Sequence, residues 1–151
     1  MIIGTTTSLF GQIFTGYLSQ KIGRKKAIGY FAMTTIALAI PAFYGLYYSD
    51  SVFERIGYTV VLIAVATTGF GPIPAFLSER FPTEVRNSAS GFIYNGGLIF
   101  GSWAPLIAVT MISKGAELIP VLLGLNVIIG SVIILIGAKI NPETRDVDIS
   151  K

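Results

Sequence analysis

The sequence predicts an all-α polytopic membrane protein of about five transmembrane helices. Three observations lead there. Five largely apolar runs follow one another, each about 20 residues, the length that crosses a hydrocarbon core. Charged residues are only 13% of the 151-residue chain, and mean hydropathy is +0.71. The charges gather between the runs, which leaves each run apolar all round rather than striped, as lipid or a membrane bundle requires.

The first span, about 1–19, is the most polar. Thr5, Ser8, Gln12, Thr15 and Ser19 recur at intervals of three and four, which sets them on one helical face. An amide facing lipid is costly, so this face is expected to look at protein or a watery cavity. Four cations between Gln20 and Lys26 separate it from the second span, about 27–48, which holds Pro41. That span ends in Tyr44, Tyr47 and Tyr48, a pattern that suits a membrane interface. A loop with Asp50, Glu54 and Arg55 leads to the third span, about 58–78. Its stretch Gly69-Phe70-Gly71-Pro72-Ile73-Pro74 must interrupt helix hydrogen bonding, because Pro72 and Pro74 have no N–H. Such a break survives in a membrane only where neighbours or a cavity satisfy the freed groups.

Between the third and fourth spans lies a charged loop in which Glu79 and Arg86 flank Pro82. The fourth span, about 91–112, carries Tyr94 and Asn95 into apolar surroundings, and its Gly97 and Gly101 form a small-xxx-small pair suited to close helix packing. The fifth span, about 118–138, is nearly featureless apart from Asn126 and reads as peripheral and largely lipid-facing. Residues 141–151 form a polar tail, read as cytoplasmic.

Basic residues orient the chain. Four lie in the loop 20–26, two in 79–90 and three from Lys139 onward, against Arg55 and Lys114 alone in the alternate loops. The positive-inside rule puts the crowded loops in the cytoplasm of a plasma-membrane protein, with Met1 outside and Lys151 inside. The net charge of +3 is explained by this asymmetry and does not point to nucleic acid. An external N-terminus without a leader leads to the expectation that further spans precede this one. Cysteine and histidine are absent, which excludes thiolate and imidazole metal sites; no metal and no cofactor is expected. No acid, histidine or cysteine lies deep in a span to serve as general acid, base or nucleophile, so an enzyme is not expected.

Three motifs now belong together. The run Gly16-Tyr17-Leu18-Ser19-Gln20-Lys21-Ile22-Gly23-Arg24-Lys25-Lys26 resembles the G-x-L-x-D-R-x-G-R-R-K loop signature of the major facilitator superfamily, with Gln20 in place of the signature's Asp. Gly71-Pro72-Ile73-Pro74 followed by Glu79 and Arg86 is similar to the tenth helix and next loop of its sugar and organic-acid symporters. Pro142-Glu143-Thr144-Arg145 resembles the signature that closes their twelfth helix. The wording around 78–83 and 91–105 is most similar to proton-coupled metabolite or sialate-type carboxylate symporters.

The resemblance implies helices eight to twelve of a twelve-helix transporter, completed by an N-terminal portion as partner. It implies a small-molecule substrate, a sugar or organic acid, moved with protons by alternating access. Any titratable coupling group must then lie outside this chain, since no charge sits deep in its spans. The implied cavity lies on the first, third and fourth spans, with Gln12, Phe70, Tyr94 and Asn95 as substrate candidates. Gln12 and Asn95 can equally serve as interhelical hydrogen-bonding groups. Gly71, Pro72 and Pro74 make the break; Gly97 and Gly101 make the packing face. In such transporters Arg24, Glu79, Arg86 and Glu143 would lock the inner gate of the outward-facing state. The competing reading is a non-transporting membrane scaffold or an inactive gene fragment derived from a transporter.

Overall fold

The computed structural model describes residues 2–103, 106, 109–110 and 116–144. They are all helix and connection: α1 (Ile2–Ile22), α2 (Arg24–Tyr48), α3 (Val52–Thr68), α4 (Ile73–Ser78), α5 (Arg86–Gly101), a 3₁₀ turn (Ala116–Leu118) and α6 (Ile119–Ile140).

Three helices, α2, α3 and α5, begin earlier than the apolar spans. Ser51 caps α3, its hydroxyl oxygen accepting the Phe53 N–H at 3.3 Å, so Glu54 and Arg55 belong to the helix rather than the loop. The acidic Glu54 in that first turn suits the positive end of the helix dipole. Between α1 and α2 the chain turns on Gly23 at φ 101°, a conformation that favours glycine. α3 stops at Thr68, the tetrad Gly69–Pro72 forms turns, and α4 resumes with Pro74 in its first turn. The break thus falls where the two prolines require it.

α2 is the hub. It packs along α6 on one side and α3 on the other, and α1 lies against α3 and α2. The contact faces are small. α2 buries Ala27, Ala32, Thr35, Ala39 and Ala42, and α6 buries Gly124, Ser131 and Ala138. A Cβ at Gly124 would stand 2.8 Å from Ile40 Cγ1, so that crossing depends on the missing side chain. The bulky apolar residues point outward instead: Phe10, Phe14, Tyr30, Met33 and Ile133 are all more than half exposed. Small inside and large outside is the membrane pattern, since lipid tails are as apolar as leucine and packing, not burial, must join the helices.

Among the described residues, three helical segments are long and apolar enough to cross a membrane: Arg24–Tyr48, Val52–Ser78 and Ile119–Ile140. That is fewer than the five expected. α1 has the length, but its hydroxyls and Gln12 lower its hydropathy; the described part of α5 has only 16 residues. The fifth span packs along α2 on one side and leaves Ile129, Ile133 and Ile140 exposed on the other.

α3 and α6 flank α2 and leave an apolar groove between them. Two connected cavities, about 260 and 190 Å³, share Thr35, Val65, Ala66 and Val127. Its hydroxyls are satisfied internally. Thr35 Oγ1 donates to the Phe31 carbonyl at 2.8 Å, and Ser131 Oγ to the Val127 carbonyl at 2.9 Å.

Candidate functional site: a charged clasp at one end of the bundle

The three basic stretches meet at one end. Lys25 Nζ donates to the Lys139 carbonyl at 3.1 Å, and Arg80 Nη1 donates to Asn141 Oδ1 at 2.7 Å. Arg80 also lies 4.3 Å over the ring of Phe76, which with Ile28 and Ala138 forms a small apolar core beneath the charges. Arg55 sits at the other end of the bundle, where its Nε donates to the Ser49 carbonyl at 2.9 Å.

Arg24 is the centre of this end. It opens α2, whose first turn holds cations and no acid, an unfavourable arrangement at the positive end of a helix dipole. Two carboxylates from elsewhere correct it. Glu143 accepts the backbone N–H groups of Arg24 at 2.7 Å and of Lys25 at 3.2 Å, capping the helix in place of the side chain that Gly23 lacks. A Cβ on Gly23 would stand 2.6 Å from Glu143 Oε2, so the same glycine makes room for the cap. Glu79, at the end of α4, takes the Arg24 side chain: Nη2 donates at 2.8 Å to Oε1 and Nε at 3.2 Å to the same oxygen. Arg24 Nη1 donates to Ser19 Oγ at 2.6 Å, and Thr144 Oγ1 donates to Glu79 Oε2 at 2.7 Å.

Five residues from four segments therefore close one network. The side chains of Arg24 and Glu79 are 9% and 13% exposed, so water screens this pair far less than a surface one. Once formed, such a pair is costly to break from one side, because the remaining charge stays partly desolvated. Chemically the arrangement is a clasp: it holds the α1–α2 turn, the end of α4 and the segment after α6 together.

Sequence reasoning selected Arg24, Glu79 and Glu143, and the structure brings all three together. That reasoning did not place Ser19 or Thr144 in this network; both are buried and lie inside quoted motifs, Thr144 directly after Glu143. Arg86 takes another position, opening α5 and donating its Nε to the Phe81 carbonyl at 3.1 Å.

The candidate substrate residues do not converge in this chain. Gln12 is half-buried on α1, and its side-chain amide has no hydrogen-bond partner among the described residues. Phe70 lines the α3–α6 groove beside Ile73 and Gly130, and Gln12 does not line that groove. Tyr94 and Asn95 are exposed on α5; Asn95 Nδ2 donates to its own helix, at the Gly91 carbonyl, at 2.8 Å. Gly97 and Gly101 face open space, with nothing within 4 Å of where a Cβ would stand, so their expected packing partner is not among the described residues. Most of the polar face of α1 packs: Ser8, Thr15 and Ser19 are buried, while Gln12 is half-buried and Thr5 exposed. Gly71 and Pro72 are enclosed at the break, while Pro74 is exposed.

A family described as sugar (and other) transporter matches residues 1–150. The chain belongs to that family. Its fold is thus a transporter's rather than an enzyme's. Among relatives, the sialic acid transporter NanX of Escherichia coli is 33% identical over 72% of this chain and 26% of its own length. The inner membrane metabolite transport protein YhjE of the same organism is 35% identical over 62% of this chain and 21% of its own. The cis,cis-muconate transport protein of Acinetobacter baylyi is 27% identical over 76% and 27%. The chain therefore spans less than a third of the length of these transporter relatives. No solved structure matches it significantly.

Proposed function

We propose that the chain forms helices eight to twelve of a plasma-membrane symporter, which moves a small organic acid or sugar together with protons by alternating access. The clasp carries this reading. Its charges join three segments at one end of the bundle, and opening the transporter toward the cytoplasm would separate them. Clasp strength then biases the equilibrium between outward- and inward-facing states. The substrate class draws on relatives' names: sialic acid and muconate are both carboxylates. Gln12, Tyr94 and Asn95 remain the candidate contacts, on faces of α1 and α5, with Phe70 at the break.

The remaining partner is the portion of the transporter that the relatives' length implies. The α3–α6 groove is its docking surface: the lining is apolar and its hydroxyls are spent, so a bare membrane helix fits without stranding a polar group. Ala66→Trp, which fills the groove, should block assembly with that portion.

The test of function is made in the complete transporter. Glu79→Gln and Arg24→Gln should raise the reactivity of cavity cysteines toward cytoplasmic reagent, because each breaks the clasp and so weakens the outward-facing form. Unchanged reactivity would overturn the gate. Orientation has its own test, since the chain has no native cysteine. Cysteines at Lys25 and Asn87 should react only with permeant reagent, and one at Ser51 with impermeant reagent from outside.

A further inference from the structure

The break between α3 and α4 leaves a particular backbone group wanting. In an unbroken helix the Thr68 carbonyl would accept the N–H of residue 72, and the Phe70 carbonyl that of residue 74. Both positions are proline, which has none to give. The Phe70 carbonyl accepts the Ile73 N–H at 3.3 Å instead. The Thr68 carbonyl accepts the Gly71 N–H, also at 3.3 Å, and a much shorter bond from another helix: the Thr15 hydroxyl of α1, at 2.6 Å.

Thr15 has one hydroxyl proton and two carbonyls in reach, Thr68 at 2.6 Å and Gln12 in its own helix at 3.1 Å. Distance assigns the proton chiefly to Thr68. Thr15 is 0% exposed, so no water can substitute for it. The Thr68 hydroxyl is already committed to the Ala64 carbonyl. The surroundings are cut to fit this contact. A Cβ on Gly71 would run into the Gln12 carbonyl oxygen and stand 2.5 Å from Thr15 Oγ1 and 3.0 Å from the Gly16 nitrogen. A Cβ on Gly11 would stand 2.5 Å from Thr68 Oγ1. Two glycines, on opposite sides of the joint, admit the backbone approach that the single hydroxyl then ties.

We propose that Thr15 is a positioning residue of the transport site: its hydroxyl supplies the hydrogen bond that Pro72 cannot, and rivets α1 to the break in the third span. The inference rests on the reading of Gln12 and Phe70 as cavity residues, because the rivet keeps the segment carrying one in register with the segment carrying the other. The break is then a fixed bend, and α1, α3 and α4 move as one body during transport.

Hydrogen exchange on this chain in detergent micelles tests the rivet without any substrate. Thr15→Val keeps the shape and removes the proton; Thr15→Ser keeps the proton. Exchange across residues 67–73 should quicken about tenfold in Thr15→Val, the scale of one buried hydrogen bond, and return near the parent rate in Thr15→Ser. Exchange in Thr15→Val equal to the parent overturns the rivet, whatever transport does. If Thr15→Val does not insert, Thr15→Ala removes the same proton and takes its place. The positioning role is tested in the complete transporter. Thr15→Val should raise the half-saturating substrate concentration severalfold, with a smaller change in maximal rate, and Thr15→Ser should restore it. Should Gln12→Ala impair uptake while Thr15→Val does not, the positioning role fails. Should neither change uptake although exchange quickens, the rivet stands and the cavity assignment of α1 is what fails.

Discussion

The joint between α1 and α3 and the exposed helix α5 are both rich in glycine, and they use it in opposite ways. At the joint, Gly4, Gly11 and Gly71 each face a neighbour so near that a methyl group would collide with it. On α5, Gly91, Gly96, Gly97 and Gly101 face nothing within 4 Å. The α5 glycines carry the more familiar spacing. Spacing shows that a helix can be approached closely; whether it is approached depends on a complementary surface, and within the described residues only α4 makes substantial contact with α5. The same contrast holds for polar groups. Thr15 spans two helices, whereas Asn95 bonds back to its own.

The sharpest way to break this comparison is to add bulk to each region. Gly71→Leu should cost more than about 3 kcal/mol, the upper range for overpacking, because backbone atoms of α1 cannot move aside as a side chain can. Gly97→Leu should change the stability of this chain by less than about 0.5 kcal/mol, as for open surface sites. In the complete transporter the same change should lower thermal stability, if a further helix seats there. Melting in detergent, measured for both variants, decides it; equal losses in this chain would erase the distinction.

The clasp offers the next largest effect. Glu79→Gln strands Arg24 in a partly desolvated site and should cost about 2–4 kcal/mol, somewhat below the value for a fully buried pair. Arg24→Met in the same protein should recover part of that loss. A double-mutant cycle showing simple additivity would reduce the pair to two independent charges.

Gly23→Ala tests the cap. It must adopt φ near 101° and also displace Glu143, so a loss of about 1–2 kcal/mol is expected. Adding Glu143→Ala should remove the steric part of the penalty but not the backbone part. Stability unchanged by Gly23→Ala would mean that the turn rearranges freely.

Asn95→Ala should have the smallest effect on folding, within about 0.5 kcal/mol, because its amide bonds only to its own helix at an exposed site. Its consequence belongs to uptake in the complete transporter, which should weaken if Asn95 meets substrate. Lost stability with intact uptake per folded molecule would make Asn95 a packing residue instead.

The amino-acid order by itself marked the apolar segments that become helices and the position of the break, though not where each helix starts. Apolar run length and missing proline N–H groups are local properties, so they survive without knowledge of neighbours. It also marked Arg24, Glu79 and Glu143, but only through the motifs that resemble the major facilitator signatures. Tertiary structure decided which of these marks meet. Glu143 caps a helix that begins 119 residues earlier in the chain, and Thr15 serves a carbonyl 53 residues away. Neither pairing has a periodicity, since a hydroxyl on a polar helix face looks the same whether it bonds to its own turn or to a neighbour's. The glycines show the reason most plainly: the lack of a side chain is written in the sequence, but what comes close enough to need that space is a property of the packed helices.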